Sequence, residues 1–288
     1  SILMFFAIGA LSVWRTAFVL GRRSEAQPLK LAFGGQPAAI DYGRTLADGA
    51  LLIYLACLGL LLRSHETATP ALHVSLVAAA FYAGACVFDR PNLRAAAGLG
   101  ATLGLLVLAR GWTVPLALLI AMLALAAIRY RDALRDLLRY TLPVAVLIPL
   151  AWLLALRTML PDADVANSWL NTNLQMLASP KLSTLAFLGK TLVWYSWPAW
   201  PIAAWAVWAW RSQATLHVML TVAGVLALLL LSLFTNSPKD HELLSLLPPL
   251  AILATFGLPT LKRGAINAID WFSVMTLSAI AAFIWLVW

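Results

Sequence analysis

The chain is punctuated by apolar runs of about twenty residues, the length a helix needs to cross the ~30 Å hydrocarbon core of a bilayer. Ten such windows can be drawn: 2–20, 46–62, 70–88, 94–109, 113–128, 141–156, 184–210, 215–234, 243–261 and 269–288. In lipid every backbone polar group must be satisfied within the protein, so runs of this length become helices. This predicts an all-α fold, a polytopic transmembrane helical bundle of about ten spans, with residues 1–288 as a single domain. Composition agrees. Hydrophobic residues make up 62% and charged residues 11%, against roughly 25% charged in soluble domains, and the mean hydropathy is +0.86. Soluble enzyme folds are excluded. Ser1 and Trp288 both lie inside apolar stretches, so the chain is expected to be part of a longer membrane protein.

Twenty Lys+Arg against 12 Asp+Glu give a net charge of +8. The cations sit in short connections between apolar runs, which reads as a signal of sidedness rather than of a nucleic-acid partner. The segment RYRDALRDLLRY (129–140) places Arg129, Arg131, Arg135 and Arg139 in one short amphipathic connection. Putting it on the cytoplasmic side with Arg22/Arg23, Arg211 and Lys262/Arg263 lets every span after residue 140 alternate without conflict. Residues 157–183 and 235–242 then face outward. Between Arg23 and Arg129 the number of crossings must be even, and two arrangements satisfy this. Either 26–40 does not cross, or it crosses and 70–88 lies along the membrane. Hydropathy favours the first, because AQPLKLAFGGQPAAI is interrupted by Gly and Pro and contains Lys30.

Trp194, Tyr195, Trp197 and Trp200, beside Pro198 and Pro201, read as an interfacial belt on a kinked 184–210 helix. Cys57 and Cys86 lie in apolar runs and read as buried thiols. The sequence holds no His/Cys cluster, Gly-rich phosphate loop or Ser/His/Asp signature.

An ionisable residue in a membrane is expensive, and each one is a functional candidate. Arg110 ends an apolar run and precedes Gly111. A guanidinium fork beside free backbone N–H groups suits a phosphate, although an arginine that merely snorkels at a helix end reads the same way. Lys239, Asp240, His241 and Glu242 form a dense ionisable loop ahead of Pro248-Pro249. Lys239 and His241 could bind an anionic headgroup, or the loop could simply be solvated. Arg44 and Asp48 are spaced for an i, i+4 ion pair, and support the site only if they face the same side as Arg110. Lys190, one turn inside the 184–210 run, and Arg15 in the first span each need a partner or an aqueous cavity. NSWLNTNLQMLASPK (167–181), with three Asn, is a polar outward loop.

At these positions the chain resembles the GT-C superfamily of lipid-linked-sugar glycosyltransferases, in the family-39-like branch with the aminoarabinose transferases and relatives of the protein mannosyltransferases. VWRTAFVLGRR (13–23) is similar to the family's early helix with a basic cytoplasmic end. DYGRTLADGALLIYLACLGL (41–60), AAGLGATLGLLVLARGW (96–112) and KDHELLSLLPPLAILA (239–254) resemble three further motifs in their order. The resemblance implies a bacterial inner-membrane, multi-pass enzyme moving a sugar from a polyprenyl-phosphate donor to an extracytoplasmic acceptor. It implies that Arg110 and Lys239 hold the donor phosphate, with His241 beside them and Arg44, Asp48, Lys190 and Glu242 in supporting positions. His241 and Glu242 depart from the family's pattern, which often has an aromatic residue there. The family's catalytic carboxylate belongs to an outer loop expected upstream of Ser1, so this piece would be inactive alone. A divalent metal near such carboxylates is implied for the full-length protein; no cofactor is identifiable in the chain itself. The resemblance would also make 26–40 cross, against hydropathy. A transporter or flippase of lipid-linked sugars is the alternative, and should show paired interrupted helices related by internal symmetry; none is evident. A non-catalytic scaffold subunit is the third reading.

Overall fold

Three helices set the frame. In the computed structural model, α1 (Ile2–Gly21), α2 (Ala39–Ala56) and α4 (Ala68–Asp89) pack side by side, with the short α3 (Leu58–Arg63) between the last two. Gly21 abuts Gly43 and Leu46, while Gly9 abuts Tyr54, so α2 runs antiparallel to α1. The Ser75 hydroxyl donates to the Phe5 carbonyl near the starts of α4 and α1. At their far ends Arg22 and Arg23 pair with Asp89 at 3.1 and 2.8 Å. The α1 and α4 axes are therefore parallel. The structure describes residues 2–27, 37–63, 68–159, 164–177, 179, 182–235 and 240–287, without the side chains of 63, 68, 182, 183, 240–242, 276, 277, 280, 284, 286 and 287.

This geometry settles the even-crossing question in favour of hydropathy. Gln27 donates to the Gly21 carbonyl at 2.7 Å, and Gly43 packs against Arg22, so both flanks of the intervening segment lie at one end of the bundle. Helix α4 does not lie along the membrane. It runs through the protein with Val77, Ala78, Ala80, Phe81 and Ala85 fully buried. The arrangement favoured by the family resemblance is thus corrected, because a helix that runs from one end of the bundle to the other with most of its residues buried is not a surface helix.

The remaining elements follow as α5 (Leu93–Arg110), α6 (Thr113–Arg129), α7 (Arg131–Asp136), a π-helical turn at Leu137–Thr141, α8 (Leu142–Met159), α9 (Val165–Leu174), α10 (Leu182–Tyr195), α11 (Ala199–Trp210), α12 (Leu216–Leu233), a 3-10 turn at Asp240–Leu246, α13 (Leu247–Thr255) and α14 (Arg263–Val287). Asn92 caps α5 by accepting the Ala95 N–H at 2.9 Å. Gly100 and Gly104, four apart, let α8 come onto α5 where a Cβ would strike Thr141 and Ile148. This is small-residue packing of the kind that joins helices in lipid. Helix α13 is the axis: every residue from Leu247 to Thr255 is buried.

Traced by contacts, α1, α2, α4, α5, α6, α8, α11, α12 and α13 alternate in direction. The Leu216 N–H meets Glu25 at 3.0 Å, the Trp210 indole meets the Phe256 carbonyl at 3.0 Å, and the Thr255 hydroxyl meets the Leu46 carbonyl at 2.8 Å. All of these lie at the end that holds Arg22 and Arg23. Arg129–Arg139, Arg211 and Lys262/Arg263 follow or precede helix ends on that same side, so the cations grouped from sequence share one end, the basic end. The other is the distal end.

The class is as expected; the count of ten spans is not reproduced. Six stretches among the described residues are long and apolar enough to cross a membrane, which makes this a multi-pass membrane protein. The 184–210 run is two helices rather than one kinked helix: α10 packs at the distal end against α3 and the 3-10 turn, and α11 alone turns inward after the cis Trp197–Pro198 bond. Trp194, Trp197 and Trp200 are exposed there. Helix α14 stands apart, its described residues largely exposed.

Candidate functional site

The α5–α6 turn at the distal end carries Arg110. Gly111 has φ +99°, a conformation that L side chains rarely adopt, and this sharp turn brings Trp112 under α9. Asn173, buried, accepts the Trp112 backbone N–H at 3.2 Å and through its carbonyl the Trp112 indole N–H at 3.1 Å. Its own amide donates to the Trp169 carbonyl at 2.9 Å. Helix α9, read from sequence as a polar loop, is therefore a clamp on the arginine turn. Directly after Met176, Leu177 pairs with Thr235 in an isolated antiparallel bridge, tying the clamp to the end of α12.

Beneath the clamp is a cavity of about 100 Å³. Arg110, His73, Thr113, Ser232, Thr235 and Ser245 give it polar walls drawn from α4, α5, α6, α12 and the 3-10 turn. His73 and Ser245 are both buried and hydrogen-bonded at 2.8 Å, Nε2 to Oγ. The Ser232 and Thr235 hydroxyls donate to the carbonyls of Leu228 and Leu231 at 2.8 and 3.2 Å. Among the described residues no carboxylate lines the cavity, and no group of three His, Cys, Asp or Glu side chains could hold a metal ion. A guanidinium with hydroxyls and one imidazole does not fit a divalent cation, which takes a cage of oxygen ligands rich in carboxylates. It fits an anion.

A second, larger space adjoins it. Between α6 and α12 an apolar groove of about 600 Å³ runs from Trp112 and Phe234 at the distal end to Ile128 and Met219 toward the basic end. Ala117, Ala121 and Ala124 face Ala223 and Ala227 across it, leaving an open slot where larger side chains would close the seam. Sixteen residues of α6 at 1.5 Å each give the groove a length of ~24 Å. Thr113 and Leu231 line both spaces, so the polar cavity sits at the head of the apolar groove.

Of the sequence candidates, Arg110 stands in the cavity wall. Lys239 lies outside the described residues, as do the side chains of His241 and Glu242, whose backbone forms the first turn of the 3-10 segment. The described residues that flank this stretch, Thr235 and Ser245, both line the cavity. Lys190 is exposed on α10 at the same end. Arg44 and Asp48 are not brought to the site. Helix α2 begins at the basic end, so both lie across the bundle from Arg110. The i, i+4 pair is also corrected: Arg44 pairs with Asp41 at 3.2 Å, and Asp48 accepts the Trp14 indole N–H at 2.8 Å. Indole N–H and carboxylate meet because α1 packs on that face of α2. Arg15 is exposed on α1. Sequence reasoning missed His73, Ser245 and Asn173. A lone histidine in the apolar 70–88 run is the signal that could have found the first.

No family model and no curated protein matches the chain. Its fold is similar to that of ArnT from Cupriavidus metallidurans, whose crystal structure is bound to undecaprenyl phosphate, with a TM-score of 0.70 and 17% identity over 98% of this chain and 49% of that one. The chain thus spans about half the length of that structure. At this identity the likeness is one of fold, a helical membrane bundle.

Proposed function

We propose that the chain is the carrier-binding part of an integral-membrane glycosyltransferase that takes a sugar from a polyprenyl-phosphate donor and passes it to an extracytoplasmic acceptor. The observation that carries this reading is the junction at Thr113 and Leu231, where an anion-suited cavity opens onto an apolar groove along α6 and α12. A polyprenyl phosphate has the same two parts: a charged head and a long hydrocarbon tail. The likeness of fold to a protein bound to undecaprenyl phosphate supports the same ligand class.

In this mechanism the sugar's anomeric carbon is attacked by the acceptor and the polyprenyl phosphate leaves. Charge develops on the phosphate oxygens, and a cation already fixed beside them lowers the barrier without reorganisation. Arg110 supplies that cation, joined by Lys239 and His241 from the loop between Thr235 and Ser245. Lys190 and Glu242, at the same end, take supporting roles. A carboxylate elsewhere in the longer protein deprotonates the acceptor. The distal end then faces the extracytoplasmic side of a bacterial inner membrane.

The test is a transfer assay on the full-length protein in liposomes with a radiolabelled polyprenyl-phosphate sugar. Release of free polyprenyl phosphate with labelled acceptor is the expected result. Movement of intact donor across the bilayer without release would replace the transferase with a flippase, and absence of both would leave neither standing.

A further inference from the structure

The mechanism leaves unused a strip of arginines at the basic end. Helix α7 runs through the π-helical turn into α8 as one continuous stretch, Arg131–Met159, whose start packs against α4, α5 and α6. The ring contact of Phe88 with Tyr130, 5.5 Å between centroids, fixes where the strip begins. The hydrogen bond from the Thr141 hydroxyl to the Ala96 carbonyl, 2.8 Å, fixes where it ends. Ala133 and Leu137 are buried and hold the inner face of the element. Arg131, Arg135 and Arg139, four apart, consequently share the outer face, and all three are exposed. Arg129 precedes them, and Arg90 and Arg94 border them from the α4–α5 turn, also exposed.

Two facts separate this strip from an ordinary ion-paired surface. Asp132 and Asp136 lie within it, yet among the described residues no ion pair forms to Arg94, Arg129, Arg131, Arg135 or Arg139. Asp89 is already held by Arg22 and Arg23, and reaches Arg90 only at 4.0 Å. The strip also alternates its guanidinium groups with outward alkyl side chains: Ile128 is 78% exposed, Leu93 56% and Leu138 50%. A nucleic acid or an acidic protein would meet an all-polar surface. Cations interleaved with exposed leucine and isoleucine match the boundary between headgroups and acyl chains.

We propose that this strip is a binding site for anionic phospholipid, with Arg131, Arg135 and Arg139 on the headgroup phosphates and Ile128, Leu93 and Leu138 in the acyl region beside them. Its occupant is a lipid of the surrounding leaflet, separate from the carrier site at the distal end, and it holds the start of the α7–α8 stretch at the headgroup level.

The experiment uses the purified full-length protein in detergent, titrated with short-chain phosphatidylglycerol or phosphatidylcholine and followed by thermal unfolding and native mass spectrometry. Phosphatidylglycerol is expected to bind about tenfold more tightly than phosphatidylcholine, a preference that salt weakens. The R131Q/R135Q/R139Q variant should lose the preference. R131K/R135K/R139K should keep it, and R157Q, a cation beyond the strip, should leave it unchanged. Equal affinity for the two lipids, a preference indifferent to salt, or an unaltered preference in the glutamine variant would overturn the proposal. Equal stabilisation by inorganic phosphate would overturn the lipid as the source of the anion. If the glutamine variant fails to fold, the lysine variant and the salt dependence of the wild type decide.

Discussion

The two ends of the bundle use arginine in opposite ways. At the basic end Arg22 and Arg23 close on Asp89, whose side chain is only 13% exposed, and Arg23 reaches on to Glu25, which in turn accepts the first N–H of α12. Four charges are spent on joining α1, α4 and α12. At the distal end Arg110 faces a cavity whose other polar walls are hydroxyls and an imidazole, with no described carboxylate among them. A guanidinium already matched by carboxylates contributes to assembly. One that lines a polar cavity at the head of an apolar slot is placed to meet an anion from outside. The type of residue is the same; the identity of its neighbours decides its work.

Substituting one arginine or acid at each end should pull this contrast apart. Arg110→Ala is expected to lower sugar transfer by about 10²–10³-fold, the usual loss when a fixed donor to developing charge is removed, and the loss persists in the fraction that remains folded. Steady-state transfer and a melting curve on the same preparation read both quantities. Asp89→Ala should do the reverse, costing about 2 kcal/mol of stability by leaving two guanidinium groups without their shared partner, with carrier affinity unchanged in the fraction that remains folded. If Asp89→Ala instead abolished transfer at full stability, the assignment of the two ends would be inverted.

A smaller effect probes the slot itself. Ala121→Phe fills the groove between α6 and α12, and should weaken binding of a long polyprenyl phosphate about tenfold, an overpacking cost of the usual size, while a water-soluble short-chain analogue binds as before. Equal weakening of both would move the tail elsewhere. Smallest of all, Arg44→Ala removes an exposed pair with Asp41 and should change stability by less than about 1 kcal/mol, and transfer not at all. A loss of transfer in that variant would bring the α2 start back into the site.

Much of the fold was legible because the hydropathy of a span and the placement of its flanking charges are local properties. The windows at 94–109, 113–128 and 215–234 return as α5, α6 and α12 almost residue for residue. Interrupted stretches were less legible. The 184–210 run has the hydropathy of one long helix, yet the Pro198 region divides it, and only contacts to α3 and the 3-10 turn show that its first half stays at the distal end. Arg110 was visible from its position before a glycine at the end of an apolar run. His73, 37 positions earlier in a different helix, was marked only as a lone histidine in an apolar run, and Ser245, 135 positions later, carried no local mark. Asn173 stood out only as one of several asparagines, and nothing nearby in sequence tells that it would take both N–H groups of Trp112.

The sequence by itself determined that this is a helical membrane protein and that the cations of four of its connections share one end. Leaving a backbone amide unsatisfied in lipid, or a charge at its centre, costs too much for any other arrangement, and that cost is levied on each segment separately. Only the tertiary structure decided which helix faces touch. Lipid tails are as apolar as leucine, so an apolar stripe does not reveal whether it meets a neighbour or the bilayer. Close approach at Gly100 and Gly104, the open seam of alanines between α6 and α12, and the meeting of His73, Arg110 and Ser245 around one cavity are settled by shape, which hydropathy does not record.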